Sequence, residues 1–431
     1  LRVRAASAGG MPRAPGRLPD VRRGMDGTEL ERKRPPIRTA GVQISRRGNT
    51  VALTQKAQDY LSCCGEEAYQ LLKTLAAIPS PSNHEEQRME FCREWLASCG
   101  AEGVYTDGAL NVVCPVGVTE SNPVVVFCAH TDVVFPDTGP LPVREHAGRL
   151  WAPGVGDDTA NLAALMMAAK YILRERLTPK DGLGVLLVCI SGEEGMGNLK
   201  GSRKICEDYQ GRIQAFCSFD GPLTHVMNRS VGSRRFRVLV STKGGHSFMD
   251  FGRPNAVARL AEIVTDLYRI RIPDFGKTTC NVGTISGGTS VNTIAQNAEM
   301  LCEYRSDDPR GIRYMEDQFD KIFSAHQKEG VKIRVEVVGD RPGENLGPAA
   351  EAKRERMVQR AADLIEQATG KRPGTASSSC DCNIPLSQGI PSVCYGTYYG
   401  DGAHTREEYV EIDSLPLGYR VALESILDYF S

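Results

Sequence analysis

The pattern of apolar and polar positions changes twice along the chain. Between residues 51 and 228, short apolar runs such as VVVFCA and GVLLVCI carry no polar alternation and are separated by helical stretches. Strands of this kind are typical of a sheet that helices cover on both faces. The pattern therefore predicts an α/β fold with a mixed, mostly parallel sheet. It also predicts helices at 52–75 and 83–99, the second of them after SPSN, a run of capping residues that includes Ser82.

From about residue 229 the predicted order becomes strand, helix, two strands, helix and strand, between RRFRVLVST and KIRVEVVG. This β-α-β-β-α-β order is the ferredoxin-like plan. The earlier pattern of apolar strands separated by helices then resumes, with helices predicted at 351–369 and 413–430. We therefore expect a larger domain in two parts, 51–228 and 343–431, with a small domain at 229–342 inserted between them.

Residues 1–50 differ from the rest of the chain in composition. They contain 12 Lys and Arg against 4 Asp and Glu, many Gly and Pro, and no apolar period. This composition predicts a disordered basic arm. The remaining residues are acidic enough to bring the net charge of the whole chain to −1.

The overall composition favours a globular protein that stays in the cytoplasm. A net charge near zero gives no reason to expect binding to nucleic acid or to a membrane, and the apolar runs are too short to span a bilayer. The 14 cysteines lie mostly in apolar segments and are expected to be reduced. Cys380 and Cys382, in the motif CDC, are the one pair considered for zinc or redox chemistry, and packing as small apolar side chains is favoured for them.

Five polar clusters follow apolar runs or occupy glycine-rich loops: CAHTDVV, GVGDDTA, SGEEG, SFDG and GDGAHT. Ligands of open α/β sheets gather outside the carboxyl ends of the strands, where these clusters are predicted to lie. Each cluster alone is weak evidence, but together they supply histidines and carboxylates to one edge. This donor set suits zinc, with cobalt and manganese as competitors. His130 and Asp132 are two residues apart, so the carboxylate is expected to orient the imidazole.

The motifs resemble a family of two-metal hydrolases that includes peptidase T, glutamate carboxypeptidase, aminoacylase and succinyl-diaminopimelate desuccinylase. The resemblance covers about residues 55–430. It rests on HTDVVFP, GVGDDTANLAALM, GEEG, SSSCDCNIPLSQGIPSV and GAHT, and the peptidase T-like branch is the most similar. Thr159 departs from the pattern, because most relatives have lysine after the aspartate pair.

The resemblance implies a role for each residue of the polar clusters. Asp157 would bridge two metal ions, with His130 and Glu194 in one arm of the site and Asp220 and His404 in the other. Glu193 would be the general base, and Asp132 would support His130. A cis peptide bond is implied between Asp157 and Asp158.

The small domain is implied to act as a lid and a dimerisation domain. His246 would reach the substrate carbonyl, often across a dimer interface, and Asn292 and Arg305 would bind the substrate. An ion pair of Arg305 with Asp307 or Asp308 is an equally open alternative. Arg341 and Gly374 match the family less well.

The implied function is that of a metal-dependent exopeptidase that hydrolyses short peptides with metal-activated water and a glutamate base. One alternative is an amidohydrolase of N-acylated amino acids, and another is a metal-binding relative without activity. The expected cofactors are two divalent ions per subunit, most simply zinc, and the expected assembly is a homodimer.

Overall fold

The structure is a computed structural model that describes residues 53–431, so the predicted basic arm lies outside the described residues. The helices of this part are α1 Gln55–Cys63, α2 Gly65–Ala77, α3 Glu86–Ser98, α4 Asn161–Glu175, α5 Lys200–Asp208, α6 Ala256–Tyr268, α7 Pro309–Ala325, α8 Pro348–Thr369, α9 Asn383–Ser387 and α10 Leu415–Leu427. None of the helices in residues 53–431 has both the length and the apolarity needed to span a membrane.

The strands fall into one large sheet and three smaller groups. They are β1 Tyr105–Thr106, β2 Val112–Val116, β3 Val124–His130, β4 Arg144–His146, β5 Arg149–Trp151, β6 Gly184–Ile190, β7 Ile213–Phe219, β8 His225–Ser230, β9 Gly232–Thr242, β10 Gly245–His246, β11 Thr278–Gly287, β12 Thr293–Ile294, β13 Asn297–Ser306, β14 Val331–Arg341, β15 Gly374–Ser378, β16 Ser392–Tyr395, β17 Gly400–Asp401 and β18 Tyr409–Glu411.

The main sheet has eight strands in the order β1-β2-β6-β3-β7-β16-β8-β15. Its centre, β6-β3-β7-β16, is parallel throughout. Every residue of β3 and β6 is buried, as the continuous apolar runs predicted. Separate apolar clusters cover the two faces of the sheet. The predicted mixed, mostly parallel α/β sheet is therefore confirmed.

A second sheet, with the order β11-β13-β9-β14, is antiparallel throughout. With α6 and α7 it encloses its own apolar cluster, and we call residues 232–341 the insert. Asp308 caps α7 by accepting the backbone N–H of Arg310, and Pro309 begins the helix. The predicted ferredoxin-like plan is confirmed. The domain boundaries at 228, 229 and 342 stay predictions, since the described residues belong to one compact unit.

Two predicted helices differ from the structure in instructive ways. The helix predicted at 52–75 is divided into α1 and α2 at Cys64, next to Gly65, a residue with poor helix propensity. The helix predicted at 83–99 begins only at Glu86, and no side chain caps it. Ser82, interpreted from the sequence as a capping residue, instead donates a hydrogen bond to Asp132 at 2.7 Å.

Candidate metal centre

Three neighbouring strands bring distant polar residues to one edge of the main sheet. His130 is the last residue of β3, Asp220 directly follows β7, and Glu193 and Glu194 follow β6. Because β3 lies between β6 and β7 and is parallel to both, these residues leave the sheet side by side. Gly192, with φ of 68°, makes the bend after β6 that a residue with a Cβ rarely adopts.

Two loops complete the group. The loop after β5 carries Asp157 and Asp158, and the peptide bond between them is cis, as the resemblance implied. The loop after β17 carries His404. Asp157 lies between both histidines, with one oxygen 3.0 Å from His130 Nε2 and the other 3.1 Å from His404 Nε2.

The distances group the five predicted ligands into overlapping sets, two of which share Asp157. Side-chain donor atoms of His130, Asp157, Asp158 and Asp220 lie within 4.8 Å of one another, and so do those of Asp157, Glu194 and His404. We call His130, Asp157, Glu194, Asp220 and His404 the candidate metal centre. A further such set joins His130 with Glu193 and Glu194. Because His130 is grouped with Asp220 in one set and with Glu194 in another, the bridging role of Asp157 and the two expected arms stay predictions.

Asp132 lies close to His130, but its carboxylate is mainly used elsewhere. It accepts the backbone N–H groups of Glu193 and Glu194 at 3.0 and 2.9 Å. His130 Nδ1 lies 3.0 Å from the backbone oxygen of Asp132 and 3.5 Å from its carboxylate. The expected orientation of the imidazole therefore comes mainly from the backbone carbonyl, and the carboxylate fixes the turn that carries both glutamates.

Glu193 lies beside the candidate metal centre and is paired with an arginine of the insert. Its carboxylate is 2.8 Å from Nη1 of Arg341, the last residue of β14, and both side chains are less than 10% exposed. Arg341 also donates to the backbone oxygen of Glu193. From the sequence, Arg341 is a weaker candidate for a substrate contact than Asn292 and Arg305. Its contact with the expected base could be found only from the packing of the insert against the main sheet.

A cavity of about 290 Å³ opens over the centre. Its walls combine the acidic residues with three arginines of the insert, and the lining residues are Asp157, Glu193, Glu194, Gly195, Asp220, Arg235, Arg305, Arg341, Ser378, Ser379 and His404. Arg305 pairs with Glu303 at 2.8 Å, so the alternative of an ion pair with Asp307 or Asp308 is not what the structure contains. Gly374 is not among the lining residues.

His246 and Asn292 are absent from this cavity in the described part of a single chain. They lie close to each other elsewhere on the insert, where the pairing of β10 with β12 places His246 opposite Thr293. The backbone oxygen of Asn292 accepts a hydrogen bond from Ser247 at 2.9 Å. Both residues are exposed, and exposed apolar side chains surround them. We call His246, Phe248, Phe251, Val291 and Asn292 the exposed tip.

The protonation behaviour of the site reflects crowded negative charge. Burial, followed by the charges of Asp157 and Asp158, raises the pKa of Asp220 well above its ordinary value. Burial also raises the pKa of Glu193, although Arg341 opposes that shift. Hydrogen bonds with Asp157 and Glu194 raise the pKa of His404 to about 10. Divalent cations would neutralise this charge, so the donor set fits two of them.

One supporting residue gave no signal in the sequence. Glu408 is 1% exposed and accepts the backbone N–H groups of Gly154, Gly156 and Asp157 at 2.7–2.9 Å. Burial raises the pKa of Glu408 to about 7. Its side chain holds the loop that carries Asp157. In the run REEYV, the pattern alone does not show that Glu408 is buried while the glutamate before it is exposed.

Comparison with known proteins agrees with this chemistry. Residues 126–428 match the model of peptidase family M20/M25/M40. Succinyl-diaminopimelate desuccinylase of Bordetella avium (strain 197N) is 26% identical over 293 residues, which cover 63% of this chain and 72% of that protein.

Solved structures show the same fold. A tripeptidase of Staphylococcus aureus subsp. aureus Mu50 is similar with a TM-score of 0.66 and 22% identity, covering 84% of this chain and 97% of that one. YxeP of Bacillus subtilis, described as a dinuclear metal-binding peptidase, has a TM-score of 0.57 and 16% identity, covering 85% and 99%. Since the family match spans more than half of the chain, this protein belongs to peptidase family M20/M25/M40 and is a metal-binding hydrolase of C–N bonds.

Proposed function

We propose that the chain is an exopeptidase that removes a residue from short peptides bearing a free carboxylate, with two zinc ions at the candidate metal centre. The observation that carries the proposal is the meeting of five residues from three strand ends and two loops, beside a buried glutamate. In this arrangement the two acidic residues of each adjacent pair have different roles. The pairs are Asp157 and Asp158 in GVGDDTA and Glu193 and Glu194 in SGEEG. Asp157 and Glu194 offer oxygens to the ions, whereas Asp158 accepts the backbone N–H of His130 at 2.7 Å.

The chain's own residues supply the proton transfer. Bound divalent ions supply Lewis-acid activation of water and of the scissile carbonyl. Glu193 lies within reach of the centre and has a raised pKa, so it is suited to take a proton from the attacking water and pass it to the leaving amine. Arg341 holds the Glu193 carboxylate in place before the reaction begins.

Three arginines favour a substrate with a free carboxylate. Arg235, Arg305 and Arg341 all line the cavity, and Arg341 also pairs with Glu193. Guanidinium groups bind carboxylates with paired hydrogen bonds, so the cavity suits a substrate that presents an anion near its scissile bond. This arrangement orients a small substrate more readily than a long chain.

A homodimer accounts best for the exposed tip. Phe248, Phe251 and Val291 are 83%, 90% and 101% exposed, and such a concentration of apolar side chains marks an interaction surface. The edge strand β11 also leaves the second sheet open to pairing. We assign His246 and Asn292 to the active site of the partner subunit, where His246 would stabilise the developing oxyanion.

The second candidate is an amidohydrolase of N-acylated amino acids. It is favoured by the similarity to a desuccinylase and by the number of arginines, since a succinyl group adds a second carboxylate. The chemistry is the same, and the pocket selects the acyl group.

A substrate panel separates the two candidates. The full chain, loaded separately with zinc, cobalt and manganese, would be offered tripeptides, dipeptides, N-acetyl-amino acids and N-succinyl-amino acids, and amino acid release would be measured. The peptidase proposal expects turnover of the peptides. Release from acylated substrates alone would replace it with the second candidate, and no release from any substrate with bound metal would contradict both.

A further inference from the structure

Three cysteines lie together beneath the edge of the main sheet that carries the candidate metal centre. Cys394 belongs to β16, which lies next to β7, and Cys380 and Cys382 occupy the turn that leads into α9. Their residues are only 1–3% exposed. All three are free thiols.

Two of these thiols lie close to a carboxylate of the candidate metal centre. The side-chain donor atoms of Asp220, Cys380 and Cys394 lie within 4.8 Å of one another. Cys394 also donates from Sγ to the backbone oxygen of Asp220 at 3.6 Å. Zinc binds sulfur at about 2.3 Å and carboxylate oxygen at about 2.0–2.2 Å, so small side-chain rotations would allow the three atoms to share one ion.

A second observation comes from the residue between Cys380 and Cys382. Asp381 is completely buried, and its Oδ2 has no hydrogen-bond partner among the described residues. Its other oxygen accepts a hydrogen bond from Ser202. Asp381 is not among the donors that lie within 4.8 Å of one another, so it would favour a cation there through its charge and not as a ligand.

We propose that Cys380, Cys394 and Asp220 form a third metal site, selective for thiophilic divalent ions such as zinc and cadmium. The site differs in donor chemistry from the candidate metal centre, which offers only nitrogen and oxygen, because thiolates favour soft ions and disfavour manganese and magnesium. Binding replaces each thiol proton with a metal–sulfur bond and releases that proton to the solvent.

Sharing of Asp220 couples the third site to the candidate metal centre. An ion held by the two cysteines draws the Asp220 carboxylate away from its neighbours. Excess zinc is therefore expected to lower the activity of the loaded enzyme, whereas excess manganese leaves it unchanged. The third site itself depends on the thiol geometry and does not depend on the peptidase proposal.

Cobalt provides a direct optical test. The full chain would be stripped with a chelator and titrated with Co²⁺, because thiolate ligands give a near-ultraviolet charge-transfer band that histidine and carboxylate ligands do not. We expect the band in the native sequence and its loss in Cys380→Ser and in Cys394→Ser. Cys302→Ser, which alters a buried cysteine of the insert, is the matched control and should keep the band. Absence of the band from the native chain at saturating Co²⁺, or its persistence in both cluster variants, would overturn the proposal.

A second measurement needs no variant, so it remains decisive if the serine substitutions prevent folding. The unmodified chain would be loaded with cadmium-113 and examined by NMR. Sulfur ligation moves the cadmium resonance far downfield from the range of nitrogen and oxygen ligands. A downfield resonance supports the third site, and a spectrum that contains only resonances of nitrogen and oxygen ligation overturns it.

Discussion

The candidate metal centre and the exposed tip both contain residues that the sequence singled out, but their surroundings differ sharply. At the centre, nearby groups hold the functional side chains: the carboxylate of Asp132 fixes the glutamate turn, and Glu408 fixes the loop of Asp157. At the exposed tip, the hydrogen bonds that His246 and Asn292 make among residues 53–431 all stay within the insert. One region is assembled by a single chain, whereas we propose that the other is completed by a second subunit.

In the proposed homodimer, this difference divides the active site between the fold of one subunit and the assembly of two. Metal ligands require fixed positions, which buried strand ends provide. A residue that contacts the substrate only after it has bound can be placed on a separate, exposed element. The comparison therefore predicts that changes at the centre act within one subunit and changes at the tip act on the partner.

The largest effect is expected for Glu193→Gln. Removal of the base should lower kcat by about 10²–10⁴-fold, because the amide cannot take the proton. Metal content, measured by elemental analysis, should be retained. Glu207→Gln, an exposed change on α5, is the control and should leave kcat unchanged. Near-native turnover by Glu193→Gln would remove Glu193 from its assigned role.

His246→Ala should lower kcat by about 10²–10³-fold through loss of oxyanion stabilisation. The control is His225→Ala, an exposed histidine of β8. The sharper experiment coexpresses Glu193→Gln and His246→Ala chains under separate tags and isolates the mixed dimer. Because one of its two sites has both Glu193 and His246 intact, activity should return to roughly half of the native value. A mixed dimer without activity would place His246 in its own subunit's site, and a fully active His246→Ala homodimer would place it outside the site altogether.

Asp132→Asn should reduce metal affinity or activity by about 10–100-fold, since residues that support metal ligands commonly have effects of this size. The asparagine side chain keeps only one oxygen to accept the backbone N–H groups of Glu193 and Glu194. Its NH₂ group replaces the other acceptor and faces a hydrogen-bond donor. Ser82→Ala removes only one of the three hydrogen bonds and should have a smaller effect. Metal affinity would be measured by competition with a chromophoric chelator, and equal losses in the two variants would argue against the special position of Asp132.

The smallest of these effects is expected for Arg305→Ala. Its guanidinium is partly exposed and shared with Glu303, so its loss should raise KM by about 10-fold and change kcat little. Arg313→Ala, an exposed change on α7, is the control. Steady-state kinetics would be compared for a peptide and its amide, which lacks the free carboxylate. If the native enzyme did not distinguish the two substrates, the carboxylate would not be what the arginines bind.

Much of the fold was predictable because its signals are local. The apolar runs of β3 and β6 identified buried strands, and the change in element order after residue 229 identified the insert. The break at Cys64 was not predictable, since the helical periodicity continues across it. Ser82 was misinterpreted because a serine before a helix resembles a cap, and only the approach of Asp132 shows where its hydroxyl donates.

The membership of the candidate metal centre could be anticipated from motifs, but its internal pairing could not. The order of residues along the chain does not reveal which oxygen of Asp157 faces which histidine. The pairing of Glu194 with His404 depends on how the loop after β17 folds over the sheet edge. Glu408 and Arg341 were missed or ranked low for the same reason, because their partners lie more than a hundred residues away.

The position of β16 in the main sheet has a consequence for the order of folding. Strand β16 lies between β7 and β8, and β15 extends the same sheet beyond β8. Both β15 and β16 are synthesised after the entire insert. During translation the growing chain must therefore keep β7 and β8 unpaired along these edges while the insert folds as a local unit. His404 emerges later still, so a nascent chain acquires its full ligand set only near the end of synthesis, and a truncated product would be left with an open sheet prone to aggregation.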